Sequence, residues 1–142
     1  MAKQISVFLE NKAGRLSNVT RVLGEAGINI RALSIADTSD FGILRLIVND
    51  PAKAYQILKE ASFTVSETEV IAVQVPDSPG GLATVLEQMT AENLNIEYLY
   101  AFLGTTHNDA LVIFKVEDID KARSLFKEKG IKFLDEQELY QL

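Results

Sequence analysis

The residues with the clearest chemical potential lie in a short turn motif that occurs twice in the chain. Its copies are Asn11-Lys12-Ala13-Gly14-Arg15-Leu16 and Asp77-Ser78-Pro79-Gly80-Gly81-Leu82. Glycine at 14 and at 80 lets the backbone come close to a bound group. The helix start predicted after each glycine presents unpaired amide groups and the positive end of a dipole. The motif therefore favours binding of a carboxylate.

Asparagine side chains could complete such a site. Asn11 lies in the first turn, whereas Asn29 and Asn95 stand at the starts of two later predicted strands, each followed by an isoleucine, Ile30 or Ile96. A carboxamide offers an acceptor for an ammonium group and donors for a carboxylate, and a free α-amino acid carries both charges. The simpler interpretation is that the glycines form tight turns and the asparagines cap or turn the chain. The residues alone leave both interpretations open.

The two turns differ in charge. Asn11, Lys12 and Arg15 give the first turn neutral or positive groups, which favour a carboxylate. Asp77 in the second turn would repel a carboxylate and attract an ammonium group. We therefore expect the main ligand site at the first turn and a weaker one at the second.

The sequence lacks the residues that other kinds of functional site require. The sequence has no cysteine and a single histidine, His107, in a polar turn, where we expect it to be solvated. Glu117, Asp118 and Asp120 open a predicted helix, where carboxylates cap amides and oppose the dipole. No glycine-rich phosphate motif occurs. We expect no catalytic residues, no metal and no cofactor.

The twin turns belong to a repeat that covers nearly the whole chain. An offset of 66 residues relates the first half to the second, and it becomes 68 after two extra residues near His107. The sequence therefore predicts two copies of one unit, residues 1–69 and 70–142.

Each copy has the same order of hydrophobic periods. Ile5, Val7 and Leu9 alternate as in a half-buried strand, and Leu16, Val19, Leu23 and Ala26 recur at helical spacing. Two β-branched stretches and a second helical stripe after Asp50-Pro51 follow, and Phe63 to Val65 closes the copy. The order βαββαβ predicts an α+β fold of two ferredoxin-like units packed together, with antiparallel sheets and helices on one face.

Composition limits the class of protein. The 142 residues are 47% hydrophobic and carry a net charge of −6, all of it from residues 71–142. These values are typical of a folded protein and give no electrostatic attraction to nucleic acid or an anionic membrane. The N-terminus enters a strand pattern directly and no apolar run approaches about 18 residues. We expect a soluble, cytoplasmic protein.

The repeated motif resembles the signature of the ACT domain family, a D/N-x-P-G-x-L turn followed by an N-I pair at the second strand. Asp77 to Leu82 with Asn95-Ile96 fits that signature, and Asn11 to Leu16 with Asn29-Ile30 is similar but has Ala13 where proline is usual. The resemblance covers both copies.

The resemblance implies a non-enzymatic regulatory module that binds an amino acid where two such units meet. In the family, the glycine turn of one unit faces the second strand of its neighbour. Carried over, this places Asn11, Lys12, Ala13, Gly14, Arg15 and Leu16 near Asn95 and Ile96, and Asp77, Gly80, Gly81 and Leu82 near Asn29 and Ile30. It also implies a homodimer or a partner enzyme of amino acid metabolism.

Three other functions share this element order. An assembly module without a ligand would use its apolar sheet faces or edges to bind a partner. An enzyme resembling acylphosphatase would need an arginine on the glycine turn and a longer phosphate-binding loop, of which only the neighbouring Arg15 is present. The negative charge and the lack of a Lys/Arg-Gly-Phe strand disfavour an RNA-recognition module.

Overall fold

The computed structural model describes residues 2–37, 40–106 and 109–141, so the predicted loop histidine, His107, lies outside the described residues. The chain divides into two compact units. The first contains residues 3–68 and the second residues 69–139, while Ala2 belongs with the second unit and Tyr140 with the first.

The first unit is built on three antiparallel strands and two helices. Its elements are β1 (Ala2–Glu10), α1 (Arg15–Glu25), β2 (Ile30–Asp37), β3 (Phe41–Val48), α2 (Pro51–Glu60) and the first part of β4 (Thr64–Pro76). Strand β3 lies between β1 and β2 and is antiparallel to both, and β1 also pairs with β4. In this register Val7 lies opposite Leu44, and Leu33 opposite Leu46.

The second unit repeats this order. It uses the rest of β4 with α3 (Gly81–Ala91), β5 (Ile96–Thr106), β6 (Asp109–Val116), α4 (Ile119–Lys129), β7 (Phe133–Leu134) and α5 (Glu136–Tyr140). Strand β6 lies antiparallel between β4 and β5, and β7 pairs with β4. The predicted α+β class with antiparallel strands and helices is confirmed.

Each unit has its own hydrophobic core. The apolar side of β1 is buried as predicted, with Ile5, Val7 and Leu9 in the core, and on the other side Phe8 is 48% exposed. In the first unit these three pack with helix residues such as Val19. In the second unit the core is built by Ile71, Val73, Val75, Val85, Met89, Leu94, Val112, Phe114, Val116, Ala122, Leu125 and Phe126.

The other side of β1 is less exposed than its polar residues predict. Gln4 and Ser6 are buried, and Gln4 Nε2 donates a hydrogen bond to Ser6 Oγ at 3.0 Å. Buried polar groups need such partners because desolvation alone is unfavourable. Ile47 and Ile113 are also fully buried although they belong to neither core cluster, as the apolar opposite faces of β3 and β6 predict.

Helices α1 to α4 end in the same way, with a residue of positive φ. These residues are Gly27, Ser62, Asn93 and Gly130, with φ between 56° and 76°. The next residue then donates its amide to the carbonyl five positions back, as Ile28 does to Leu23 and Leu94 does to Met89, both at 2.9 Å. This bond takes the amides of Ile28 and Leu94 away from the following strands. Strands β2 and β5 therefore begin at residues 30 and 96, two later than the sequence predicts.

Two further boundaries bear on the predictions. Asp50 and Asp118 are N-caps, as expected, and accept the amides of Lys53 and Lys121 at 3.2 and 3.1 Å. The fourth strand of the first unit and the first strand of the second, predicted as separate, form one continuous strand, β4. No helix among the described residues has the length and apolar character needed to cross a membrane.

Candidate functional site

The two glycine turns have nearly the same backbone. Gly14 and Gly80 are the N-caps of α1 and α3, with φ of 87° and 83°. This left-handed conformation is favourable only for glycine, which explains why the repeat keeps this residue. Matching amide-to-carbonyl bonds close the turns at 2.8 and 2.9 Å, from Lys12 to Glu10 and from Ser78 to Pro76.

These two helices start without a side-chain cap. Neither Gly14 nor Gly80 has a side chain that can accept an amide hydrogen bond, whereas Asp50 and Asp118 cap α2 and α4. The first turn of any helix leaves amide groups without intrahelical acceptors. At α1 and α3 the first amide is already used, because Arg15 donates to the carbonyl of Lys12 at 3.3 Å and Gly81 to that of Ser78 at 3.0 Å. The next amides can bind an external anion.

The first turn contains an acidic residue that the sequence analysis did not consider. Glu10, at the end of β1, lies 2.9 Å from Lys12 Nζ and 3.8 Å from Arg15 Nη2. Its hydrogen bond and charge interaction with Lys12, together with the charge of Arg15, hold the pKa of the Glu10 carboxyl below its ordinary value of 4.5. The two cations expected to attract a ligand therefore already share a carboxylate. The signal in the sequence was the position of Glu10 directly before Asn11.

Two depressions lie beside the first turn. A small one of about 190 Å³ is lined by Leu9, Glu10, Asn11, Lys12, Arg15, Leu16, Ile35 and Gly42. It brings together four of the predicted residues. Ala13 and Gly14 instead line an open basic surface with Lys12, Arg15, Ser17, Asn18 and Arg21. The predicted residues of this turn therefore face two different surfaces.

The second turn borders a cleft of about 500 Å³, close to the volume of about 520 Å³ at the open basic surface beside the first turn. The cleft is lined by Gln74, Pro76, Ser78, Pro79, Gly80, Gly81, Thr84, Val85, Gln88, Asp109, Gly130, Ile131 and Lys132. Of the predicted ligand contacts at this turn, Gly80 and Gly81 line the cleft, whereas Asp77 and Leu82 do not. A Cβ at Gly81 would overlap the carbonyl oxygen of Pro76, so glycine is needed here for close packing.

The predicted asparagine–isoleucine pairs are remote from the turns of their own units. Asn29-Ile30 and Asn95-Ile96 follow the C-terminal ends of α1 and α3, whereas the glycines precede the N-terminal ends. Each helix has 11 residues, which separates its ends by about 16 Å. Within one unit, the glycine turn and the asparagine–isoleucine pair therefore do not lie together. Their proximity across units stays a prediction.

The backbone groups of Asn29 and Asn95 are hydrogen-bonded to residues that follow β3 and β6. The amide of Asn29 donates to Asn49 Oδ1 at 3.0 Å, and its carbonyl accepts the amide of Asn49 at 3.2 Å. The carbonyl of Asn95 accepts the amide of Glu117 at 3.1 Å in the same way. Both asparagine side chains are exposed.

The sequence analysis missed five polar residues of the cleft beside the second turn: Gln74, Thr84, Gln88, Asp109 and Lys132. Gln88, Asp109 and Lys132 belong to no motif and lie far apart in sequence. Their only signal is that the first copy has Val22, Phe41 and Thr64 at the equivalent positions. Among the described residues, no group of three or more His, Cys, Asp or Glu side chains could hold a metal ion.

Comparisons with known proteins identify relatives over the full length. A family model described as an ACT domain pair matches residues 1–142. Protein BT0572 from Bacteroides thetaiotaomicron, known from a crystal structure, is 47% identical, with a TM-score of 0.94 and coverage of 99% of this chain and 96% of that one. A search of curated proteins finds no match.

More distant structures share the fold. The ligand-free regulatory subunit of aspartate kinase from Thermus thermophilus is 17% identical, with a TM-score of 0.65 and coverage of 89% of this chain and 91% of that one. The corresponding subunit from Thermus flavus is 15% identical, with a TM-score of 0.63 and coverage of 88% of each chain.

Proposed function

The chain belongs to the family of ACT domain pairs, and from this premise we propose that it is a non-enzymatic regulatory protein that binds a free amino acid. Its two ACT-like units are residues 1–69 and 70–142. Each is a ferredoxin-like βαββαβ unit with its helices on one face of an antiparallel sheet. The packing of the two units stays a prediction from the sequence.

The observation that carries this proposal is the contrast between capped and uncapped helices. In α2 and α4 an aspartate carboxylate of the chain accepts a first-turn amide. In α1 and α3 a left-handed glycine stands at that position and supplies no acceptor. The carboxylate of an amino acid can take the place that aspartate has in the other two helices.

The proposed contact residues are those of the two repeated motifs. The ligand carboxylate would bind the amides two and three positions after Gly14 or Gly80, because those of Arg15 and Gly81 already donate within the turn. The ammonium group would need an oxygen such as that of Asn11, Asn29, Asn95 or Asp77. The full set is Asn11, Lys12, Ala13, Gly14, Arg15, Leu16, Asn29, Ile30, Asp77, Gly80, Gly81, Leu82, Asn95 and Ile96.

The fold and the role of one relative support a regulatory role. The relative from Thermus thermophilus is a regulatory subunit of aspartate kinase, an enzyme that acts on an amino acid. This relative supports the proposal that the chain regulates a partner enzyme of amino acid metabolism and is not itself a catalyst. We place the protein in the cytoplasm, where such partners and free amino acids occur together.

Calorimetric titration with each of the twenty amino acids tests the proposal. At a concentration 100 times its Kd, the ligand should raise the free energy of unfolding by about 2.7 kcal/mol, which a thermal melt detects. Gly14→Val and Gly80→Val, made separately, should each weaken binding at their own turn. Gly24→Ala, within α1 and with open space around its Cβ, is the matched control. If none of the twenty binds the wild type, the proposal is wrong.

A second candidate function is an assembly module, because the first unit exposes large apolar side chains. Phe41 is 59% exposed and Phe8 48%, and both line one pocket, whereas Ile35, which is 46% exposed, pairs with Leu44 and lies on the other face of the sheet. Contiguous exposed apolar groups mark interaction surfaces. Sedimentation velocity should then show a homodimer that Phe41→Ser weakens. A monomer at all concentrations would contradict this candidate.

A further inference from the structure

The cations beside the first glycine turn all lie close to carboxylates of the chain itself. Lys12, Arg15 and Arg21 line the open basic surface at this turn. Glu10 lies within 4 Å of both Lys12 and Arg15. Arg21 Nη1 lies 3.6 Å from Glu25. The positive charge of this surface is therefore partly neutralised before any external anion binds.

Glu10 is placed differently from Glu25. Glu25 is at the far end of α1, one helical turn after Arg21, whereas Glu10 directly precedes the glycine turn. Its Oε2 atom lies 2.9 Å from Lys12 Nζ and its Oε1 atom 3.8 Å from Arg15 Nη2. Each oxygen of one carboxylate thus faces a different cation of the turn. A bound carboxylate or sulfate would use the same two cations.

Glu10 also lies on a different side of these cations from the turn backbone. Lys12 and Arg15 line both the open basic surface and the depression of about 190 Å³. Gly14 and Ser17 line only the first of these two surfaces, and Glu10 lines only the second. The ion pairs with Glu10 therefore draw both cations towards the depression and away from the surface that contains the turn backbone.

The second turn forms without this cluster of charges. At the offset of 66 residues, Pro76 stands at the position of Glu10, Ser78 at that of Lys12 and Gly81 at that of Arg15. The two turns nevertheless have nearly the same backbone, because the φ angles of their N-cap glycines are 87° and 83°. The charges of the first turn are therefore not needed to build the turn.

We propose that Glu10 is an internal competitor, which occupies Lys12 and Arg15 and so weakens the binding of external anions at the first glycine turn. An external anion gains the charge of both cations only when it displaces this carboxylate. The inference rests on the proposed function, since it concerns one of the two turns named there. It removes the reason to expect a stronger carboxylate site at the first turn.

A titration of the full-length protein with inorganic sulfate at constant ionic strength tests this role. Sulfate binding is followed through the NMR shifts of the backbone amides of Leu16 and Ser17. Glu10→Gln should bind sulfate there about two- to fivefold more tightly than the wild type, because exposed ion pairs are individually weak. Glu128→Gln, at an exposed position on α4, removes the same charge elsewhere and should leave the affinity unchanged.

A double variant separates the release of a cation from the simple loss of a negative charge. Glu10→Gln combined with Lys12→Gln should lose most of the gain, because the released ammonium group of Lys12 is its source. A loss of negative charge alone would leave the gain in place. The amides of Leu82 and Ala83 at the second turn give an internal reference, and their response to sulfate should be the same in every variant.

The outcomes distinguish this inference from the proposed function. If Glu10→Gln and Glu128→Gln bind sulfate equally at Leu16 and Ser17, or if neither binds it there, Glu10 is not a competitor. Those results leave the titration with the twenty amino acids unaffected. Failure of all twenty to bind would reject the proposed function and leave the sulfate comparison intact.

Discussion

At the scale of single residues, Ser62 adopts a conformation that glycine adopts at lower cost. Its φ is 71°, and it is exposed after the end of α2, where α1 and α4 have Gly27 and Gly130. An L-residue in the left-handed region is disfavoured by about 1–2 kcal/mol. Ser62→Gly should raise the free energy of unfolding by about 0.5–1 kcal/mol in urea denaturation. Gly130→Ala is the reciprocal control and should lower it.

Gly81 requires glycine for a different reason from Gly80. A Cβ at Gly81 would overlap the backbone of Pro76, whereas a Cβ at Gly80 would meet nothing but would be strained by its φ of 83°. Gly81→Ala should lower the free energy of unfolding by about 1–3 kcal/mol, because backbone must move. The equivalent residue, Arg15, tolerates Arg15→Ala with little loss. Equal effects of Gly81→Ala and Arg15→Ala would contradict this explanation.

The charges around Glu10 predict a dependence on pH. Lys12 and Arg15 lower the pKa of Glu10 in the folded state. The ionised carboxylate therefore stabilises the fold at pH values above its ordinary pKa of 4.5. That contribution is lost as the pH falls through the lowered pKa. An NMR titration should find the pKa of Glu10 below 4.5 in the wild type. The pKa should move towards 4.5 in the Lys12→Gln variant, and also in the wild type at high salt. An unchanged pKa in Lys12→Gln would contradict the assignment.

At the scale of elements, the helices fall into two classes by their N-termini. Asp50→Ala and Asp118→Ala each remove a hydrogen bond to a first-turn amide and should each lower the free energy of unfolding by about 1 kcal/mol. Glu117→Ala removes a carboxylate one residue before the cap and is the control. Denaturation curves that do not distinguish Asp118→Ala from Glu117→Ala would show that the cap contributes little.

The local sequence predicted most of these elements. Asp50-Pro51 and Gly130 mark helix ends through their own side chains and dihedral preferences, so short-range pattern was sufficient. The short-range pattern placed the starts of β2 and β5 two residues too early, because the amides of Ile28 and Leu94 close the preceding helices. Apolar composition cannot distinguish a closing residue from a strand residue.

At the scale of the molecule, each unit depends on one small core. Phe126 is fully buried in the second unit, and its ring lies 6.2 Å from that of Phe133. Phe126→Ala should lower the free energy of unfolding by about 3–5 kcal/mol, a large part of the total for a small protein. Leu82→Ala, at a side chain that is 36% exposed, should cost far less. Similar values for the two variants in chemical denaturation would contradict this view of the core.

The sequence by itself determined the repeat, the order of elements and the two uncapped glycine turns. These features are periodic or local, and each depends on residues within a few positions of one another. Gly14 and Gly80 were identifiable because the repeat places a glycine at the same position of both turns, and glycine adopts the left-handed backbone at the lowest cost. The turn residues and the resemblance to a known family then predicted the class of ligand, which stays a proposal.

Only the tertiary structure decided which distant polar groups meet. Gln88, Asp109 and Lys132 reach one cleft through the pairing of β4 with β6 and the turn after α4. Glu10 is held by Lys12 and Arg15, and Gln4 is buried against Ser6. Such contacts depend on how elements pack and which strands pair, and neither propensity nor spacing along the chain contains that information.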